Sequence, residues 1–259
     1  MTQKTILEVR DLNKAFGAVV AAADINIEVT EGEIIAIIGA NGAGKTTFVN
    51  MVTGYLTPTT GTIRFLGQDI TGRAPAAVCK AGLTRSFQVA QLFPGLTVME
   101  NMLVAFASLR IGTASFFTPL NNAAARKTAL GVLSTFGIDP HADAPVSALA
   151  QGVRKLLDIS MAMISGPSLL MLDEPTSGVA VDEKFPLMET VMAGVRQTDA
   201  TIMFIEHDME IVTRYASRVI AFYEGTIIAD GPVAQVLDDE RVRKYIVGQI
   251  QAAATADSP

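Results

Sequence analysis

Gly39-Ala40-Asn41-Gly42-Ala43-Gly44-Lys45-Thr46-Thr47 sets two glycines, four residues between them, directly ahead of Lys and Thr. This is the pattern of a phosphate-binding P-loop. Gly42 and Gly44 allow the backbone to approach phosphate oxygens closely. Lys45 would reach the β- and γ-phosphates, and Thr46 would offer its hydroxyl to Mg²⁺. A second chemical stretch is Leu169-Leu170-Met171-Leu172-Asp173-Glu174, an apolar run ending in two carboxylates. In open α/β sheets ligands bind at the carboxyl ends of strands. Asp173 would hold Mg²⁺ through water, and Glu174 would polarise the water that attacks the γ-phosphate.

Both stretches need rigid elements behind them. Ile34-Ile35-Ala36-Ile37-Ile38 reads as a buried strand feeding the P-loop. Phe48-Val49-Asn50-Met51-Val52 reads as the first turns of a helix ended by Gly54. Strand, glycine loop and helix together aim backbone N–H groups and a helix N-terminus at phosphate. Ahead of them, residues 6–16 read as a strand, and 25–29 alternate as a half-exposed one. Residues 62–66 and 82–88 read as further strands, with a short helix at 75–81 between them. Helical patterns then dominate at 98–109, 123–136 and 153–164, with a polar loop at 111–122. Strand and helix alternation returns with strands at 168–172 and 201–205 and helices at 183–196 and 209–215. A hairpin is expected around Glu224-Gly225, a helix at 241–251 and a disordered tail at 252–259.

The 259 residues are 49% hydrophobic, enough for a large α/β core. No apolar run reaches about 18 residues, so no transmembrane helix is expected. Residues 156–172 come nearest and are broken by Asp158, Gly166 and Pro167. No signal peptide is legible at the N-terminus. Cys79 is the single cysteine, which excludes a disulfide framework or a cysteine-based metal site. The net charge of −6 speaks against nucleic acid as a partner.

With these motifs in this order, the chain resembles the ATP-binding cassette (ABC) family, the ATPase subunits of ABC transporters, from about residue 7 to 231. The implied fold is α/β: a P-loop NTPase (RecA-like) core with an N-terminal antiparallel β subdomain and an inserted α-helical subdomain. The implied division is 1–88 for the first part of the core, 89–164 for the helical subdomain, 165–231 for the second part of the core, and 232–259 for a C-terminal extension. The implied ligands are ATP and Mg²⁺. By the same resemblance Phe16 stacks on adenine, and Gln88 is the Q-loop glutamine that contacts the Mg²⁺ and water. His207 is the switch histidine that bonds the γ-phosphate. Leu149-Ala150-Gln151-Gly152-Val153 stands at the signature motif, which is presented in trans to a second cassette, and Ser177-Gly178-Val179-Ala180 stands at the D-loop.

Three residues, in two motifs, depart from the family pattern. Ala150 replaces the signature serine and Val153 its glutamine, while Ala180 replaces a common D-loop aspartate. Without the serine hydroxyl, one charge-assisted hydrogen bond is missing, worth about 1.5–3 kcal/mol, or roughly ten- to a hundredfold in affinity. What remains is the backbone at Gly152 and the helix N-terminus that follows. The P-loop, Glu174 and His207 are intact beside this eroded signature. That combination favours a heterodimer with a second ABC ATPase subunit over a homodimer, with unequal sites.

Thr84-Arg85-Ser86-Phe87-Gln88, Leu92-Phe93-Pro94-Gly95-Leu96-Thr97-Val98-Met99-Glu100-Asn101 and Glu174-Pro175-Thr176-Ser177-Gly178-Val179-Ala180 resemble importers of branched-chain and other hydrophobic amino acids. That resemblance implies transmembrane permease subunits, a periplasmic solute-binding protein further out, and a peripheral position on the cytoplasmic face of the inner membrane. The rival expectations are a lipid or lipopolysaccharide exporter ATPase and a soluble non-transport ABC ATPase.

Overall fold

The computed structural model describes residues 4–86, 92–108, 122–198 and 200–248. It divides into two compact units, residues 1–78 with 201–259, and residues 79–200.

The first unit holds an antiparallel sheet and a mainly parallel one. β1 (Thr5–Phe16) pairs with β2 (Val19–Thr30) on one side and with β4 (Thr60–Phe65) on the other. β5 (Gln68–Asp69) extends the sheet beyond β4. Ile25, Ile27 and Val29 are buried while Asn26 and Glu28 are exposed, the alternation expected of a strand with one wet face. β2 begins six residues before that clean alternation, at Val19. Its early residues Val19 and Val20 are exposed, so pairing with β1 rather than burial makes them strand.

β3 (Ile34–Gly39) lies between β8 (Thr201–Ile205) and β9 (Arg218–Tyr223), parallel to both. β10 (Thr226–Pro232) closes this group as an antiparallel hairpin with β9. Ile35 through Ile38 have no exposed surface, as fits a parallel strand covered on both faces. α1 (Lys45–Val52) packs its apolar side inward, and the Phe48 and Phe222 rings meet at 5.5 Å. Arg218 ties these parts together. It makes a two-pronged bond to Asp230 at 2.7 and 2.8 Å and reaches Glu28 O on β2 at 2.8 Å and Glu33 Oε1 at 3.2 Å. Such a fork lets one guanidinium fix several elements at once. α7 (Met209–Tyr215) and α8 (Val233–Asp238) complete the unit. At the C-terminal end a short α9 (Glu240–Val242) passes into wider turns at Arg243–Val247. The expected helix from 241 is therefore only partly regular. α2 (Pro75–Lys80) is the short helix expected at 75.

The second unit contains β6 (Leu83–Ser86) parallel to β7 (Leu169–Asp173), with Ser86 opposite Leu172. Around them are α3 (Val98–Ser108), α4 (Ala123–Thr135), α5 (Gln151–Met163) and α6 (Lys184–Arg196). α3 starts on a reciprocal cap: the Thr97 amide donates to Glu100 Oε2 at 2.7 Å and the Glu100 amide to Thr97 Oγ1 at 3.1 Å. The Thr97 amide and the Thr97 hydroxyl, which also donates to Glu100 Oε2 at 3.0 Å, together hold the Glu100 carboxyl below its ordinary range. Asn101, fully buried, sews the preceding loop to α3 through both bonding groups of Phe93 and through Thr97 O. The polar loop expected at 111–122 lies outside the described residues except for Asn122, which caps α4 by accepting from the Ala125 amide. The expected tail at 252–259 also lies outside them.

Candidate nucleotide site

In the first unit the loop from Gly39 to Gly44 leaves the carboxyl end of β3 and enters α1. Gly39 has φ +156, and a Cβ there would lie 2.5 Å from Phe222 O. Gly44 has φ +100, and a Cβ there would lie 2.7 Å from Ala21 O and 3.1 Å from Gly225 Cα. Only glycine fits either place. The β9–β10 turn grips the loop from outside: the Gly225 amide donates to Ala43 O at 3.0 Å, and the Ala23 amide to Gly225 O at 2.8 Å. A helix start leaves its first amides without intrahelical partners, and the first inward bond of α1 is Phe48 N to Gly44 O at 2.9 Å. No side chain caps this start. The result is a rigid concave backbone with a helix N-terminus, which suits an anion such as a polyphosphate.

Lys45 is buried, with its Nζ donating to Gly39 O at 2.6 Å and Ala40 O at 2.9 Å. The loop's own carbonyls thus hold the ammonium on the loop. Asn41, Gly42 and Thr46 are exposed, Thr47 is half-buried and Ala43 is buried. Phe16, at the end of β1, is 51% exposed, with Lys14 Nζ 5.0 Å from its ring centre. It is a surface aromatic and not core. Glu206 and His207 follow β8. The Glu206 amide bonds Ile37 O at 3.4 Å, which sets His207 at the same sheet end from which the P-loop emerges. Glu206 is buried and its Oε2 accepts from the His207 amide at 3.1 Å.

In the second unit Asp173 ends β7 and is 5% exposed. Glu174, next along the chain, is half-buried and has φ +48. A left-handed backbone is sparsely populated by non-glycine residues, and such positions persist where surrounding structure over-determines them. The surroundings are visible. Buried Lys155 of α5 donates to Glu174 O at 3.2 Å, and the Ser177 amide bonds the same carbonyl at 3.1 Å. Asp173 Oδ2 accepts from Arg85 Nη2 of β6 in a buried ion pair. Neither Arg85 nor Lys155 is singled out by the spacing of chemical residues. Each reaches its partner across the chain, and Arg85 lies 88 positions from Asp173.

α5 begins at Gln151, two residues earlier than its apolar pattern indicates, so Gln151 and Gly152 form its first turn. Ala150 is the N-cap residue and makes no side-chain cap bond. Serine, threonine, aspartate or asparagine there would satisfy one of the orphan amides. Gln88 lies outside the described residues.

Among the described residues no group of three or more His, Cys, Asp or Glu side chains is placed to hold a metal ion. None of their helices is long and apolar enough to cross a membrane. In the first unit the residues present fit a nucleoside triphosphate: a glycine cradle that a Cβ would fill, a buried lysine, and an exposed threonine in the first helical turn. The second unit by itself offers a buried carboxylate at a strand end. A hard cation with few protein ligands takes the rest of its oxygens from phosphate and water.

The family model described as "ABC transporter" matches residues 22–177. Two of the relatives that match nearly end to end are proteins of branched-chain amino acid transport. The high-affinity branched-chain amino acid transport ATP-binding protein LivG of Escherichia coli is 35% identical over 252 residues, covering 94% of this chain and 98% of the relative. The corresponding protein BraF of Pseudomonas aeruginosa is 32% identical over 252 residues, covering 95% and 99%. Among solved structures, a nucleotide-free ATP-binding cassette from an ABC transporter superposes with a TM-score of 0.82 at 28% identity, covering 93% of this chain and 98% of that one. A cassette in its ADP conformation gives 0.82 at 29% identity, with the same coverage. The chain belongs to the ABC transporter family. It is an ATP-binding cassette with the P-loop NTPase fold, an ATPase whose hydrolysis is coupled to transport.

Proposed function

We propose that this chain is the ATP-binding and ATP-hydrolysing subunit of a membrane importer for branched-chain or other hydrophobic amino acids, or closely related small molecules. The observation that carries this reading is the nearly end-to-end likeness to LivG and BraF, relatives named for branched-chain amino acid transport. An exporter or a soluble non-transport ATPase is not favoured by those relatives.

The roles follow from the site. The amides around Gly42 and Gly44 and the α1 N-terminus bind the phosphates, with Asn41, Ala43 and Thr47 completing the loop. Lys45 gives its ammonium to the β- and γ-phosphates in exchange for part of its bonding to Gly39 O and Ala40 O. Thr46, Asp173 and Gln88 would hold Mg²⁺. When bound, Mg²⁺ neutralises phosphate charge. Glu174 accepts a proton from the attacking water, and His207 donates to the γ-phosphate. Phe16, exposed at the end of β1, stacks on the adenine. The Lys155 bond to Glu174 O ties the helix that carries the signature to the residue that carries the base.

As an ABC ATPase the chain works with transmembrane permease subunits. We place it on the cytoplasmic face of the cell membrane, beside a second cassette. Ala150, Gln151 and Gly152 face the nucleotide of that second cassette. Because Ala150 offers no hydroxyl, the partner's site is the weaker one and the pair is built from unlike cassettes. The division into 1–88, 89–164, 165–231 and 232–259 is kept as the division of labour: nucleotide binding, coupling to the permease, hydrolysis and extension.

The test is transport. The assembly is purified through a tag on this chain, placed in liposomes with ATP inside, and supplied outside with labelled leucine and its solute-binding protein. ATP-dependent leucine accumulation is expected, and none with ADP. An assembly that hydrolyses ATP yet leaves leucine, isoleucine and valine outside would overturn the assignment of cargo.

A further inference from the structure

Asp173 is not an open carboxylate waiting for a cation. Its Oδ2 accepts from Arg85 Nη2, and the two side chains are only 6% and 8% exposed. Both sit on neighbouring parallel strands, where Arg85 is opposite Met171 and Ser86 opposite Leu172. A carboxylate in such a place is costly unless paired and hydrogen-bonded. Breaking a buried pair from one side leaves the other charge uncompensated. Arg85 therefore supplies the counter-charge that the strand end needs whenever no metal is there. The same charge works against a metal. A divalent cation approaching Asp173 meets a guanidinium already bonded to the carboxylate, at a depth where charges are weakly screened. No group of three or more His, Cys, Asp or Glu side chains among the described residues is placed to hold a metal ion. A carboxylate has lone pairs for more than one partner, so the pair need not break once phosphates bring further negative charge.

We infer that Arg85 is a positioning residue: a built-in counter-ion for Asp173 that keeps the metal-free strand end folded and makes Mg²⁺ binding conditional on nucleotide. This rests on the assignment of Asp173 as a metal-holding residue. Arg85 touches neither metal nor nucleotide in this account and acts through Asp173.

The readout is the unfolding midpoint of the full chain in MgCl₂ alone, against NaCl of equal ionic strength. The wild-type midpoint stays unmoved by millimolar Mg²⁺ without nucleotide, and rises when a non-hydrolysable ATP analogue is added with it. Arg85→Gln unfolds at lower temperature in EDTA and is partly rescued by Mg²⁺ alone. The Mg²⁺ concentration that half-supports analogue binding falls about tenfold once the competing positive charge is gone. Arg85→Lys keeps the charge and follows the wild type in its indifference to Mg²⁺ alone. A wild-type midpoint that responds to Mg²⁺ alone overturns the inference, even if Arg85→Gln does not fold. So does an Arg85→Gln midpoint lowered equally with and without Mg²⁺, which is the behaviour of a merely structural pair. Asp173→Asn separates the two levels. If it leaves the Mg²⁺ dependence of analogue binding intact, the assignment of Asp173 fails and the inference with it. If it abolishes that dependence while Arg85→Gln stays blind to Mg²⁺, only the counter-ion role of Arg85 fails.

Discussion

Glu174→Gln lowers ATP turnover by about 10²–10⁴-fold, the range that a positioned general base supplies, and leaves nucleotide binding in place. The substitution removes a charge and a proton acceptor but almost no volume. The fold has little reason to notice it. The backbone carbonyl of Glu174, which takes the Lys155 and Ser177 bonds, is untouched. The left-handed bend at φ +48 keeps those bonds to its carbonyl in the variant. Single-turnover hydrolysis and analogue binding, measured on the same preparation, separate chemistry from affinity. A loss of less than tenfold in turnover would mean that another group activates the water. An equal loss of binding would mean that Glu174 is structural.

Lys45→Met weakens ATP binding by roughly ten- to a hundredfold, since a charge-assisted hydrogen bond to phosphate is worth about 1.5–3 kcal/mol. The side chain is buried and held at 2.6 and 2.9 Å by Gly39 O and Ala40 O. Methionine fills the same channel without the charge. It leaves two loop carbonyls lacking their donor, so the loop also loses part of its pre-set shape. Calorimetric titration with ATP measures the affinity, and the far-ultraviolet dichroism shows whether the fold survives. An affinity within twofold of wild type would remove Lys45 from the phosphate site.

How much of this was legible before the structure depends on the range of each interaction. The P-loop is a local device. Its glycines, its lysine, the strand Ile34–Gly39 and the helix Lys45–Val52 are contiguous, so pattern alone places them. The carboxylates Asp173 and Glu174 are legible for the same reason, as the end of one apolar strand. The extent of β2 was not, because Val19 and Val20 are strand through pairing with β1 and not through alternation. Arg85 was visible only as part of a family-like stretch. That it turns to Asp173 depends on the β6–β7 register, which no local pattern encodes. Lys155 reads as one more helix cation in sequence and is 3% exposed in the fold. The start of α5 also came out two residues early, because Gln151 and Gly152 carry no apolar periodicity. The loop at Ala150 is thereby shortened to a bare helix N-terminus, which sharpens the case for an unequal partner.

The proposed mechanism has ATP draw this cassette onto an unlike one, and sedimentation velocity of the purified Glu174→Gln chain, with and without Mg-ATP, tests that most directly. The substitution blocks release by hydrolysis, so any closed pair that can form accumulates. The account predicts saturable ATP binding with a single monomeric boundary, because the signature with Ala150 does not close firmly on a second copy. An ATP-dependent homodimer would contradict it, and would make residues 149–153 a working signature in a symmetric transporter.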